Sequence, residues 1–384
     1  MRQKIFTIIL MVFLPLLLTG CWDKIEIEDR AFVMAIGIDL SQSNKRYLVT
    51  FQFPNVAQLA KGSGGGGSGG SEKPSFAVSE VADTIFSASR HISARLDKAL
   101  YLGHTQAIIF GKEVVEDKAR FQEVLDSLDR SYELSRKVYL LVTPGKAQDI
   151  LLKKYDLEPN TGAYIRDIFK HYNLTSIFPS VNYNKITKSL HETNGNAIIP
   201  KIVAGKNEVK IAGSAIIKDY KLAGWMEDDE NMGYMFLTGL VKGGDVTIGL
   251  PANEGNVKVP FNVSNVVRRR GIEVKGGKIV YRVKLDVEGD VTEYTFEKHG
   301  EMIKGDIVNL IEKETSNKIK NMAHKAINRF QKELKVDMLG IGDYIEKFYP
   351  SLWSKIGKDW NKIFPDIEIK VDVTSHVRRI GLFR

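Results

Sequence analysis

Gly271-Ile272-Glu273-Val274-Lys275-Gly276-Gly277-Lys278-Ile279-Val280-Tyr281-Arg282-Val283-Lys284-Leu285-Asp286-Val287-Glu288 is the stretch from which the architecture works outward. Ile279, Tyr281, Val283, Leu285 and Val287 alternate with Lys284, Asp286 and Glu288, the period of a strand with one wet face. Lys275-Gly276-Gly277-Lys278 predicts a two-residue hairpin back to Ile272-Glu273-Val274, because paired glycines accept the positive φ angles of such turns. Downstream, Ile303, Ile307, Leu310, Ile311, Ile319, Ala323, Ile327, Phe330 and Leu334 recur at helical spacing. Ile367, Ile369, Val371 and Val373 then alternate as a last strand. An antiparallel sheet covered by one long helix satisfies both patterns.

Toward the N-terminus the pattern changes. Phe32 to Asp39 reads as a buried strand, and Tyr47, Val49, Phe51 and Phe53 as one face of a half-buried one. Val81, Ile85, Ala88 and Ile92 predict a helix. Ala107–Phe110 and Val138–Val142 predict strands around a helix that turns Val114, Phe121, Leu125 and Leu128 inward. In the middle, Val209, Ile211, Ala215 and Ile217 are expected on one strand face, with Gly213 marking a bulge or close backbone approach. The expected fold class is mixed α/β and α+β in three units: residues 21–158, 159–255 and 256–384. Gly62 to Gly70, with seven glycines and two serines, is expected to be a flexible surface loop in the first unit.

Composition bounds function before any motif does. The chain has 384 residues, 43% hydrophobic and 27% charged, which excludes collagen-like and wholly disordered proteins. Its 55 basic against 47 acidic residues leave a net +8. This mild, dispersed bias calls for no nucleic acid, since anionic headgroups beside a tethered protein account for it. Cys21 is the sole cysteine, so no intramolecular disulfide and no two-thiolate metal site can form.

The first twenty residues read as a signal peptide. Arg2 and Lys4 form its positive start, and Ile5 to Leu18 is apolar except for Thr7. Those 14 residues fall short of the roughly 20 that span a bilayer. The run ends Leu18-Thr19-Gly20-Cys21, which resembles a bacterial lipobox, with cleavage expected between Gly20 and Cys21 and a diacylglycerol on the Cys21 thiol. Two acyl chains at about 0.8 kcal/mol per buried methylene contribute on the order of 20 kcal/mol, a durable anchor on the outer face of a membrane.

The remaining constellations are weak. Gly62-x-Gly64-x-x-Gly67 and Gly66-x-Ser68-x-Gly70 match dinucleotide and nucleophile patterns, as any tract this rich in glycine does. His91, His104, His171, His191, His299, His324 and His376 include no pair at helical zinc-ligand spacing. His104 reads as a structural histidine. Glu227-Asp228-Asp229-Glu230 lacks the spacing of a calcium loop and suits the positive end of a helix dipole. Arg268-Arg269-Arg270 and Arg378-Arg379 read as solvated strand ends. No metal, cofactor or catalytic residue is assigned, and no ligand-binding residue is identified.

After Cys21 come Trp22-Asp23-Lys24-Ile25-Glu26-Ile27-Glu28-Asp29-Arg30 and an apolar run ending Ile36-Gly37-Ile38-Asp39. In order follow the glycine-rich tract, Leu102-Gly103-His104, Leu128-Asp129-Arg130, Gly213 to Gly224 around Lys218-Asp219-Tyr220-Lys221-Leu222, and a last strand from Ile367 to Gly381. This ordered set resembles the spore germination receptor C subunits, the Ger(x)C lipoproteins of endospore formers, over essentially the whole chain. The resemblance implies a lipid-anchored, non-enzymatic subunit of a nutrient germinant receptor in the spore inner membrane. It also implies two integral-membrane partners, one permease-like and one with a large soluble domain. The alternative from another class is a free-standing solute-binding lipoprotein or surface hydrolase.

Overall fold

The computed structural model describes residues 26–43, 46–55, 74–252, 255–291 and 305–380. The signal peptide, Gly20, Cys21, Ile303 and the glycine tract 62–70 therefore lie outside the described residues. The chain opens with β1 (Arg30–Phe32), β2 (Ala35–Leu40), β3 (Tyr47–Pro54), β4 (Ser75–Ala82) and α1 (Ile85–Ser93). Then come β5 (Ala99–Tyr101), β6 (Ala107–Gly111), α2 (Lys112–Glu116), α3 (Lys118–Asp129), β7 (Tyr139–Thr143) and α4 (Ala147–Leu152). Helices α5 (Thr161–Lys170), α6 (Tyr172–Thr175) and α7 (Tyr183–Glu192) precede β8 (Ala197–Ala204), β9 (Val209–Lys218) and β10 (Lys221–Met226). The rest is α8 (Asp228–Thr238), β11 (Asp245–Ala252), β12 (Gly255–Lys275), β13 (Lys278–Val291), α9 (Gly305–Asn328), α10 (Ile341–Phe348), α11 (Pro350–Ile356), α12 (Trp360–Ile363) and β14 (Glu368–Ile380).

Eight strands form one sheet in the order β10-β9-β8-β7-β6-β2-β3-β4, and β1 pairs in parallel with β5 beside it. The sheet draws strands from both sides of residue 158, joined where Val142 of β7 pairs with Lys201 of β8. Helices cover both faces. Ile36, Ile38, Ile108, Phe110, Leu140 and Val142 point to one core, and Ala35, Ala107, Ile109 and Leu141 to the other. Consequently β3 is not half-buried as its alternation predicts. Thr50 and Gln52 are as enclosed as Val49 and Phe51, because α4 and α5 roof the second face.

Helix starts follow local chemistry. Thr84 accepts from Ser87 N–H to cap α1, and Asn160 and Asn182 do the same for α5 and α7. Val81, expected in the first helix, belongs to β4 instead. On β9 the shared-face expectation fails at Gly213. The β8–β9 register slips between Pro200 and Ile202, Gly213 takes φ +71°, and one extra residue sits on β9. A bulge inverts side-chain parity. Val209 and Ile211 thus face one core, while Ala215 and Ile217 face the other.

The C-terminal sheet has the order β11-β12-β13-β14. Lys275 pairs with Lys278 across Gly276 and Gly277, at φ +57° and +79°, so the expected hairpin forms. Tyr281, Val283, Leu285 and Val287 are buried beneath α9, which contributes Ile311, Ile319, Ala323 and Ile327. The sheet is antiparallel through three strands, and β14 then runs parallel to β13. Helices α9 to α12 lie between β13 and β14 in the chain, the kind of crossover that a parallel neighbour requires. This core is continuous with that on one face of the eight-stranded sheet.

Candidate functional site

The Ile36–Asp39 motif is a helix mount. Asp39, at the end of β2 and 3% exposed, accepts N–H bonds from Ala147 (2.8 Å) and Gln148 (2.9 Å) at the start of α4. Burial raises its carboxyl above the usual range, and these two bonds oppose the rise. Gly37 lets Ala147 and Leu151 of α4 lie directly on β2, and a side chain at Gly111 would overlap the Asp39 carboxylate. One strand over, Gln52 donates to Thr161 Oγ1 (2.9 Å) and accepts from Gly162 N–H (3.2 Å), which seats α5.

The other sequence motifs are structural too. His104 stacks on Phe32 with centroids 4.9 Å apart, and the Leu102 N–H donates to Glu133. Asp129 accepts from the Tyr183 hydroxyl (2.6 Å) and pairs with Arg136. Burial and that carboxylate hold the Tyr183 hydroxyl far above its ordinary pKa. Asp219 and Tyr220 form the β9–β10 turn at φ +52° and +61°. This turn is pinned to the α7–β8 loop by Asp219 N–H to Asn196 Oδ1 (3.1 Å) and Tyr220 N–H to Gly195 O (2.8 Å).

Beside that turn a cleft of about 440 Å³ opens between the sheet edge and the C-terminal helices. Glu192, Asn194 and Asp219 line one wall, and Asp343, Glu346, Trp353 and Lys358 the other. Beneath it Asp337 accepts from the N–H groups of Leu339, Ile341 and Gly342 and from Trp360 Nε1. Burial raises the carboxyls of Asp337 and Asp343, and Glu192 and Glu346 add like-charge repulsion at Asp343. The lining includes no histidine and no cysteine. Chemically the cleft offers acceptors and negative potential. A second cleft of about 460 Å³, lined by Pro74, Phe76, Leu151, Leu152, Tyr155 and Pro159, is more apolar.

Glu227 to Glu230 do open a helix, and Asp229 additionally receives Lys318 (3.3 Å) and Lys325 (2.6 Å) of α9. Arg268 to Arg270 are engaged and not merely solvated. Arg268 donates to Leu237 O (2.6 Å), Arg269 pairs with Asp286 (3.2 Å) and Arg270 covers the Tyr344 ring at 4.4 Å. Among the described residues no group of three His, Cys, Asp or Glu side chains is placed to hold a metal ion. Nor is any described helix long and apolar enough to cross a membrane. The cleft residues escaped sequence reading because Glu192 and Asp343 carry no shared local pattern.

Residues 23–204 match the family described as Spore germination protein N-terminal domain, and residues 212–381 the one described as Spore germination B3/GerAC like, C-terminal. Spore germination protein KC of Bacillus subtilis (strain 168) is 26% identical over 412 residues, covering 100% of this chain and 97% of that protein. Spore germination protein B3 of the same organism is 25% identical over 383 residues, covering 97% and 96%. The crystal structure of the GerBC protein superposes with a TM-score of 0.59 at 18% identity, covering 90% of this chain and 98% of that one. At that identity the superposition shows the fold.

Proposed function

This chain belongs to the Ger(x)C family of spore germination proteins, a receptor-subunit family and not a known enzyme group, and from that premise we propose that it is the lipid-anchored C subunit of a nutrient germinant receptor. The observation that carries the reading is the lipobox Leu18 to Cys21 placed directly before a family match that starts at Asp23. Diacylglycerol on Cys21 holds the folded body on the outer face of the spore inner membrane. There it meets the two integral-membrane subunits at high local concentration. A subunit of this kind acts through contacts that differ between partner states.

The test is genetic and biochemical together. Spores lacking the chain should lose response to the nutrients read by one receptor and keep responses through other receptors. Cys21→Ala should give the same loss, with the protein released from the membrane fraction or retained as uncleaved precursor. Normal germination on every nutrient, in spores shown to express the wild-type gene and lacking a close paralogue, would overturn the reading.

A further inference from the structure

Four of the large exposed apolar side chains, Ile27, Phe76, Leu152 and Leu157, belong to segments that meet at one end of the large sheet. Strands β2, β6 and β7 run parallel, so their first residues mark one end of the eight-stranded sheet, the leading end. Ala35 pairs with Gln52 there, Phe53 with Phe76 and Pro54 with Ser75. Helix α4 starts at the opposite end, where Asp39 caps it, and descends until Leu151 O meets Gln52 Nε2. Beyond it the chain turns under the sheet, and Ser75 Oγ donates to Pro159 O (2.6 Å). This geometry brings Phe76 (40% exposed) and Leu152 (54%) to the leading end in the lining of the more apolar cleft, with Leu157 (73%) two residues before the Pro159 that Ser75 holds. Ile27, 70% exposed, precedes β1, which feeds β2 from that same end.

The covalent chain converges on this end as well. Cys21 lies five residues before Glu26, and at about 3.5 Å per residue those five links reach no further than about 18 Å. We propose that the leading end of the eight-stranded sheet, with Ile27, Phe76, Leu152 and Leu157, rests on the outer surface of the bilayer that anchors the chain. The inference rests on the lipid-anchor reading and adds an orientation to it. Lys153 and Lys154 stand beside Asp156 and Glu158, and Arg30 beside Glu26, Glu28 and Asp29, so this end has no basic excess to draw it to anionic headgroups and apolar contact carries the association. Exposed apolar side chains collected at one end of a fold mark a candidate interaction surface. A lipid anchor holds such a site at the headgroup level, where its side chains bury their apolar atoms in the acyl boundary. The opposite end, with the exposed turn at Pro144, Gly145 and Lys146, then points away from the membrane toward the aqueous phase.

Lipidation consumes the chain's sole thiol, so one introduced cysteine takes a fluorophore cleanly. Full-length lipidated chain carrying Leu157→Cys or, as the distal control, Gly145→Cys is reconstituted in vesicles containing nitroxide-headgroup lipid. Both sites tolerate the change, since Leu157 is exposed and a Cβ at Gly145 meets nothing within 4 Å. Quenching should be at least about twofold stronger at residue 157 than at residue 145. Equal quenching, or stronger quenching at 145, overturns the orientation. Quenching at 157 that emerges only after residues 63–69 are deleted would give the patch to the chain's own glycine-rich tract and overturn it too. Shielding of residue 157 from a soluble quencher only when the two membrane subunits are present would assign the patch to a protein. Intact mass separates the two failures. A chain without lipid that washes off vesicles defeats the anchor reading itself, whereas a lipidated, bound chain with the wrong quenching defeats only the orientation.

Discussion

The two large sheets treat polar residues in opposite ways. In the eight-stranded sheet both faces are roofed, and Asp39, Thr50 and Gln52 sit at 3% exposure or less. Each is bonded to a partner from elsewhere in the fold, Asp39 to α4, Gln52 to α5 and Thr50 to Ser79. In the four-stranded sheet one face stays wet and carries charges in cross-strand pairs. Arg269 meets Asp286 (3.2 Å), Arg282 meets Glu273 (2.6 Å) and Arg378 meets Glu288. A polar residue in the first sheet is a hook that fixes a neighbouring element, because leaving it unpaired would cost about 1–3 kcal/mol. In the second it is solvated, and its pairing changes little.

That contrast can be broken by substitution, starting with the doubly covered sheet. Phe110 is fully buried and packs edge-on to Phe121 at 5.4 Å. Phe110→Ala should cost about 3–5 kcal/mol in urea unfolding, through lost transfer energy and a residual cavity. A loss below about 1 kcal/mol would mean that this core collapses easily and is not closely packed.

Asp39→Ala should cost about 1–2 kcal/mol, the loss of a helix cap. Its pH dependence has a definite sign. The folded carboxyl titrates above its unfolded value, so the folded state binds the proton more tightly and stability falls as pH rises through that range. The variant lacks this contribution, so its deficit should be larger near pH 4 than at pH 7. A deficit that grows toward pH 7 would show that the carboxylate is net stabilised by its two N–H bonds.

Smaller effects belong to the C-terminal sheet. Gly277→Ala places a Cβ at φ +79° in open space and should cost about 1 kcal/mol through backbone strain alone. Asp286→Ala on the wet face should change stability by no more than about 0.5 kcal/mol, with the difference shrinking further in 1 M salt. If Asp286→Ala costs as much as Asp39→Ala, the two sheets do not differ as described.

Much of the second sheet was legible because its cues are local. The Lys275 to Lys278 hairpin, the wet face of β13 and the apolar stripe of α9 each follow from residues a few positions apart. The first sheet was legible in β2, β3, β6, β7 and β9, but not in β4, β8 and β10 nor as a doubly covered layer. Alternation in β3 looked like one wet face, and only the placement of α4 and α5, about a hundred residues later, buries Gln52. The acidic cleft was invisible for the same reason, since its walls come from residues 192 and 343.

By itself, then, the sequence determined the cores of β2, β3, β6, β7, β9, β13 and β14, the apolar stripe of α9, where Gly276 and Gly277 turn the chain and that Gly213 disrupts its strand. Those outcomes depend on side-chain periodicity and backbone φ preferences, which near neighbours set. Only the tertiary structure decided that β14 runs parallel to β13, that parity inverts beyond Gly213 and that Phe76 and Leu152 line one cleft. These depend on which distant segments pair and in what register. That choice is a free-energy difference summed over many weak contacts between residues far apart in the chain, and no local pattern records such a sum.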